Sequence, residues 1–156
     1  MLVVLHIVGL FGLSIDAAVD FFTKLTPIHL LVSLAVVLSV HKGWSARFLV
    51  TYAAVYVAGF LVEMAGVQTG AIFGTYSYSN VLGPGIFGTP FMIGVNWVML
   101  VYITAAVIHP LPWHWLIKAI AAGALMVGLD VLIEPFAIQY TLWQWPGDTV
   151  PFQNYL

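Results

Sequence analysis

Glu63, Asp130 and Glu134 are carboxyl groups at the ends of long apolar segments, in a chain with little charge elsewhere. An acidic side chain at membrane depth costs about 2.5–3.5 kcal/mol at a helix centre on insertion scales, so one kept there is a functional candidate by default. Asp130 and Glu134 stand four apart and share one face of a helix. These residues carry two readings. In the structural one, Glu63 caps a helix end in the headgroup zone, while Asp130 and Glu134 accept hydrogen bonds from loop N–H groups. In the functional one, burial and like-charged neighbours keep one carboxyl protonated near neutral pH, and a second stays ionised and positions water. Carboxyls driven apart in this way let one site do acid and base work together.

Tyr76, Tyr78, Trp97, Tyr140, Trp143 and Trp145 fall on the side where the acids lie, more densely than membrane anchoring requires. Trp113 and Trp115, on the other side, fit an ordinary interfacial belt. Aromatic faces attract cations, so a carboxylic acid inside an aromatic cage suits chemistry through a carbocation. The same faces suit a long polyene. His6, His29, His41, His109 and His114 form no HExxH motif, no i,i+4 pair and no shared face, and no spacing specifies a metal. There is no phosphate-binding loop, no dinucleotide fingerprint and no serine nucleophile elbow. Without cysteine there is no thiolate nucleophile or thiolate metal site.

The elements that must position these groups are apolar. The 156-residue chain is 62% hydrophobic and 6% charged, whereas soluble domains carry about 25% charged residues. It is expected to be an all-α integral membrane protein, with residues 1–156 forming a single polytopic domain. A net charge of −2 and four Lys/Arg argue against a nucleic-acid partner. Five apolar segments run roughly Leu2–Ile15, Pro27–Val40, Phe48–Val62, Phe91–Ile108 and Trp113–Ile133, against the ~20 residues that a spanning helix needs. The first reaches that length only by continuing through Asp16 to Val19, and Thr26-Pro27 marks the second's start, with Thr26 as N-cap. Lys42 and Arg47 make the second turn cytoplasmic. Glu63, Asp130 and Glu134 then share the opposite face with His29, Asn96 and Trp97. Gly66, Gly70 and Gly74 recur every four residues in the long connection Met64–Thr89, a spacing that lets backbones approach closely. That apolar, aromatic connection is expected to fold back as a re-entrant or interfacial lid.

The run from Glu63 through Gly66, Thr69-Gly70, Phe73-Gly74, Tyr76 and Tyr78 resembles the central signature of the membrane carotenoid biosynthesis proteins. That family includes carotenoid 1,2-hydratases and the bisanhydrobacterioruberin hydratase of haloarchaea. Gly83, Gly88-Thr89-Pro90, Asn96-Trp97, Asp130, Glu134-Pro135, Trp143-Gln144-Trp145 and Val150-Pro151-Phe152-Gln153-Asn154-Tyr155 continue the pattern. Two features depart from it. Family members continue past the Gln-Asn-Tyr block into another apolar helix, so a closing C-terminal helix is expected to be missing here. His29 stands where a small amide is expected.

The resemblance implies addition of water to the terminal 1,2 double bond of an acyclic carotene end, giving a tertiary alcohol without a cofactor or metal. Its substrate would be a lycopene-like or C50 polyene in the lipid bilayer of the cell's inner membrane. Asp130 or Glu134 would protonate the alkene, and Glu63 would orient water with help from Asn96 or Tyr76. Tyr76, Tyr78, Asn96, Trp97, Trp143, Trp145 and Asn154 would bind substrate. Two alternatives stand beside this reading: acid-catalysed carotenoid or isoprenoid cyclisation, and a non-enzymatic membrane protein that binds or carries a polyene. The oligomeric state is open.

Overall fold

The computed structural model describes residues 1–155. Six α-helices follow in order: α1 (Leu2–Leu13), α2 (Val19–Lys24), α3 (Thr26–Ser39), α4 (Ala46–Thr69), α5 (Met92–Ile108) and α6 (Trp115–Gln139). Helix α5 is central and packs against α3, α4 and α6. Four two-residue strands qualify the all-α reading: β1 (Ser77–Tyr78), β2 (Gly85–Ile86), β3 (Thr89–Pro90) and β4 (Trp143–Gln144). Strands β2 and β3 form a local hairpin, whereas β1 pairs antiparallel with the distant β4.

Helices α4 and α6 are long and apolar enough to cross a membrane. At 1.5 Å per residue they extend roughly 36–38 Å, more than the ~30 Å hydrocarbon core. Of their most apolar stretches, only 11% and 0% of residues are buried inside the protein. The long apolar helix of a water-soluble core would be mostly covered. Here Leu132 on α6 is 74% exposed and Val50 on α4 is 68% exposed, the pattern of helices that face lipid.

The expected five segments map onto helices with changed limits. Leu2–Ile15 does not continue through Val19, because the backbone leaves the helix at Ser14 and α2 starts anew. Thr26 is the first helical residue of α3 and not its cap, with Leu25 at that position. Helix α4 starts where Ser45 Oγ accepts the Phe48 N–H at 3.1 Å and stops at Gly70, whose φ of 64° needs no Cβ. It thus runs past Val62, and Glu63 lies inside it. Helix α6 runs past Ile133 and carries Pro135 in its interior. Proline removes one N–H from the helical ladder, yet the helix holds to Gln139.

The connection between α4 and α5 folds back onto the helices. Leu82 lies in a buried cluster with Ile93, Ala137 and Leu142, against which Leu30, Tyr78, Trp97 and Trp143 pack. The interior therefore lies beneath the β1–β4 ribbon, at the carboxyl end of α4 and α6. Gly66, Gly70 and Gly74 do not form a helix-contact stripe, and each meets a different local need. Gly66 leaves room for Phe73 and Tyr76, Gly70 ends α4, and Gly74 turns with φ 96° against Pro151.

Candidate active site

Glu63 sits within α4, and its carboxylate accepts three hydrogen bonds. The Tyr76 hydroxyl donates to Oε2 at 2.6 Å, the Tyr78 hydroxyl to Oε2 at 2.9 Å, and the Trp97 indole to Oε1 at 3.1 Å. Trp97 reaches Glu63 from α5 because Gly59, one turn earlier on α4, has no side chain. A Cβ at Gly59 would lie 2.3 Å from the Trp97 ring.

Asp130 and Glu134 stand four positions apart on α6, which puts them on one face. Glu134 is 4% exposed. Its Oε2 accepts the indole N–H groups of Trp143 at 3.0 Å and Trp145 at 3.1 Å, and its Oε1 accepts from Asn154 at 3.4 Å. The same Asn154 amide donates to Asp130 Oδ2 at 2.8 Å. Among the described residues, that is the one side chain donating to Asp130.

The β1–β4 ribbon joins the two halves. Tyr78 pairs with Trp143 and Ser77 with Gln144, and because strand side chains alternate, Tyr76 and Tyr78 reach together toward Glu63. Trp143 and Trp145 do the same toward Glu134. Tyr76 and Trp145 rings lie 4.9 Å apart and Tyr78 and Trp143 rings 6.1 Å apart, so an aromatic wall links the two carboxylate networks. The arrangement combines clustered acids, phenol and indole donors, and π-faces able to stabilise a cation.

The structure thus brings together Glu63, Tyr76, Tyr78 and Trp97, and separately Asp130, Glu134, Trp143, Trp145 and Asn154. Asn96 makes no hydrogen bond to either group; its Oδ1 is buried without a partner among the described residues. Leaving such an oxygen unpaired costs about 1–3 kcal/mol. Packing of α1 on α3 also brings His6 and His29 together, with ring centroids 4.7 Å apart, which corrects the expectation of no shared face. Two residues that the sequence reading omits from the site contribute to it. Gly59 makes room for Trp97. Tyr155 lies close enough that burial first, and then the charges of Glu134 and Asp130, push its phenol up. Its place in the Gln153-Asn154-Tyr155 block was the available signal.

Tyr76 and Tyr78 are also pushed up from the ordinary phenol value of 10.0, chiefly by burial and next by the Glu63 charge. Both remain donors at neutral pH. Above about pH 10 the unfolded chain loses phenolic protons that the folded state keeps, so stability falls as pH rises; below that value their contribution is fully present. Thermal unfolding in detergent, scanned from neutral to strongly alkaline pH, should show this drop, with a shallower slope in Tyr78→Phe. An equally steep slope in that variant would exclude Tyr78 as a source.

Two hollows flank the Glu63 network. One of about 250 Å³ is lined by Thr75, Tyr76, Ser77, Gln144, Trp145 and Pro146. The other, of about 200 Å³, lies between α4 and α5 and is lined by Val55, Ala58, Gly59, Val62, Trp97 and Val101.

The sequence model of one protein family, described as carotenoid biosynthesis protein, matches residues 24–156. No curated protein and no solved structure matches the chain.

Proposed function

This chain belongs to the carotenoid biosynthesis protein family, and from that premise we propose that it is a cofactor-independent carotenoid hydratase of the inner membrane. It would act as a single multi-pass domain on an acyclic, lycopene-like or C50 polyene. The supporting observation is the unequal hydrogen bonding of the three acids. Glu63 and Glu134 each receive three side-chain donors, and Asp130 receives one. Asp130, the acid with the fewest donors fixed on its oxygens, is the carboxyl assigned the proton.

In this mechanism Asp130 transfers its proton to carbon 2 of the terminal double bond, and the π electrons form the new C–H bond. A tertiary cation remains at carbon 1, facing the Tyr76, Tyr78, Trp143 and Trp145 rings. Water held by Glu63 adds to that carbon, and Glu63 takes up the proton released as the C–O bond forms. Return of this proton to Asp130 resets the site. The reaction needs neither oxidant nor reductant. The hollow beside Tyr76 and Trp145, with Thr75, Ser77 and Gln144 in its lining, is a suitable source of water, and general acid–base assistance supplies typically about 10²–10⁴-fold.

Expression in cells that accumulate lycopene tests the reading. The expected result is a carotenoid heavier by one water per modified end, measured by chromatography with mass detection. A ringed product of unchanged mass would replace hydration by cyclisation. Unchanged lycopene retained on the purified protein would favour a binding or carrier role.

A further inference from the structure

The apolar hollow between α4 and α5 shares a side chain with the carboxylate network. The Trp97 ring forms part of its wall, while the indole N–H of that ring donates to Glu63 Oε1 at 3.1 Å. Its floor is Gly59, where the absence of a side chain both admits the Trp97 ring and deepens the groove. The remaining lining is Val55, Ala58, Val62 and Val101, so no polar side chain other than the inward-turned indole N–H interrupts it.

We propose that this groove holds the conjugated chain of the carotenoid and delivers its end toward Glu63. The proposal takes its occupant from the family's carotenoid substrate and does not depend on the reaction being hydration. Several properties fit a polyene. The groove is apolar throughout, opens on the outward face of a helix long enough to cross the membrane, and follows α4 for two turns from Val55 to Val62. Those two turns amount to roughly 10 Å. A volume of about 200 Å³ is below the ~300–1,000 Å³ of pockets that enclose whole ligands. It therefore grips a segment of a long chain whose remainder stays in lipid. The separate hollow lined by Thr75, Tyr76, Ser77 and Gln144 would then bring water, so the two reactants would reach the acids from different hollows.

Lycopene is achiral, and its visible circular dichroism arises only when an asymmetric site holds it. The purified full chain in detergent, titrated with lycopene, is expected to induce such a signal. Ala58→Phe and Val55→Phe place a ring in the groove against its Trp97 wall while leaving Tyr76, Tyr78 and Trp97 themselves unchanged. Ala58 is exposed, so the added ring enters open space. Both variants should weaken binding by about tenfold or more, the range that steric changes in apolar pockets produce. Val57→Phe, on the opposite and 52% exposed face of α4, should bind as the parent does. Absence of a signal from the parent chain, or full signals from both groove variants, would overturn the proposal. A parent chain that binds with loss in the groove variants, yet forms no alcohol, would refute hydration and leave the groove standing.

Discussion

Replacing Asp130 by Asn is expected to abolish conversion of the polyene while leaving its binding intact. The amide cannot give up a proton to an alkene, yet its oxygen can accept the 2.8 Å bond that Asn154 now gives to Oδ2. The local geometry is thereby kept and the neighbouring Glu134 retains both indole donors. Loss of a general acid costs about 10²–10⁴-fold in rate, which in a cell-based assay reads as absence of product. The visible dichroism of bound lycopene should persist in Asp130→Asn at the parent's amplitude. Loss of product with retained binding places Asp130 in the chemistry. Full turnover by this variant would move the proton to Glu134 or remove hydration altogether. Glu134→Gln is a poorer first test, since two indole N–H groups share its Oε2 and its removal disturbs the fold.

The helix cores were legible from local signals, and their ends were not. Met92–Ile108 lies within one residue of the expected fourth segment, because an apolar run with polar and proline-rich flanks leaves little freedom in placement. The expected limits at Val62 and Ile133 stop at the first carboxyl, on the premise that charge seeks the interface. Glu63 and Glu134 are instead tolerated inside helices because Tyr76, Tyr78, Trp143 and Trp145 bring donors to them from elsewhere in the chain. That compensation is non-local and has no period in sequence. The acids and aromatics could be placed on one side by helix count alone. Their pairing depended on the β1–β4 register, which joins residues more than sixty positions apart through two-residue strands too short to announce themselves. Gly59 shows the same limit: it is one small residue in a long apolar helix, and only the Trp97 ring across the interface gives it a role.

Glu63→Gln should damage both stability and turnover, and separating the two effects decides what Glu63 does. Three donors converge on its two oxygens, whereas a glutamine offers one acceptor oxygen and turns an NH₂ toward a donor. Hydrogen bonds to charged groups contribute about 1.5–3 kcal/mol each, so a clear fall in the melting temperature is expected. Tyr78→Phe removes one donor from the same carboxylate, so the two substitutions should be non-additive in stability. If Glu63 serves only to anchor Tyr76, Tyr78 and Trp97, Glu63→Gln will retain parental turnover at temperatures where it remains folded. If it also positions water, turnover will be lost even there, while Tyr78→Phe, with the carboxylate still present, will retain most of it. Melting curves and product yields measured side by side on the two single variants and the double variant discriminate these outcomes. The hydration mechanism requires the second: the Glu63 carboxylate takes the proton from water as the C–O bond forms, and an amide at that position cannot.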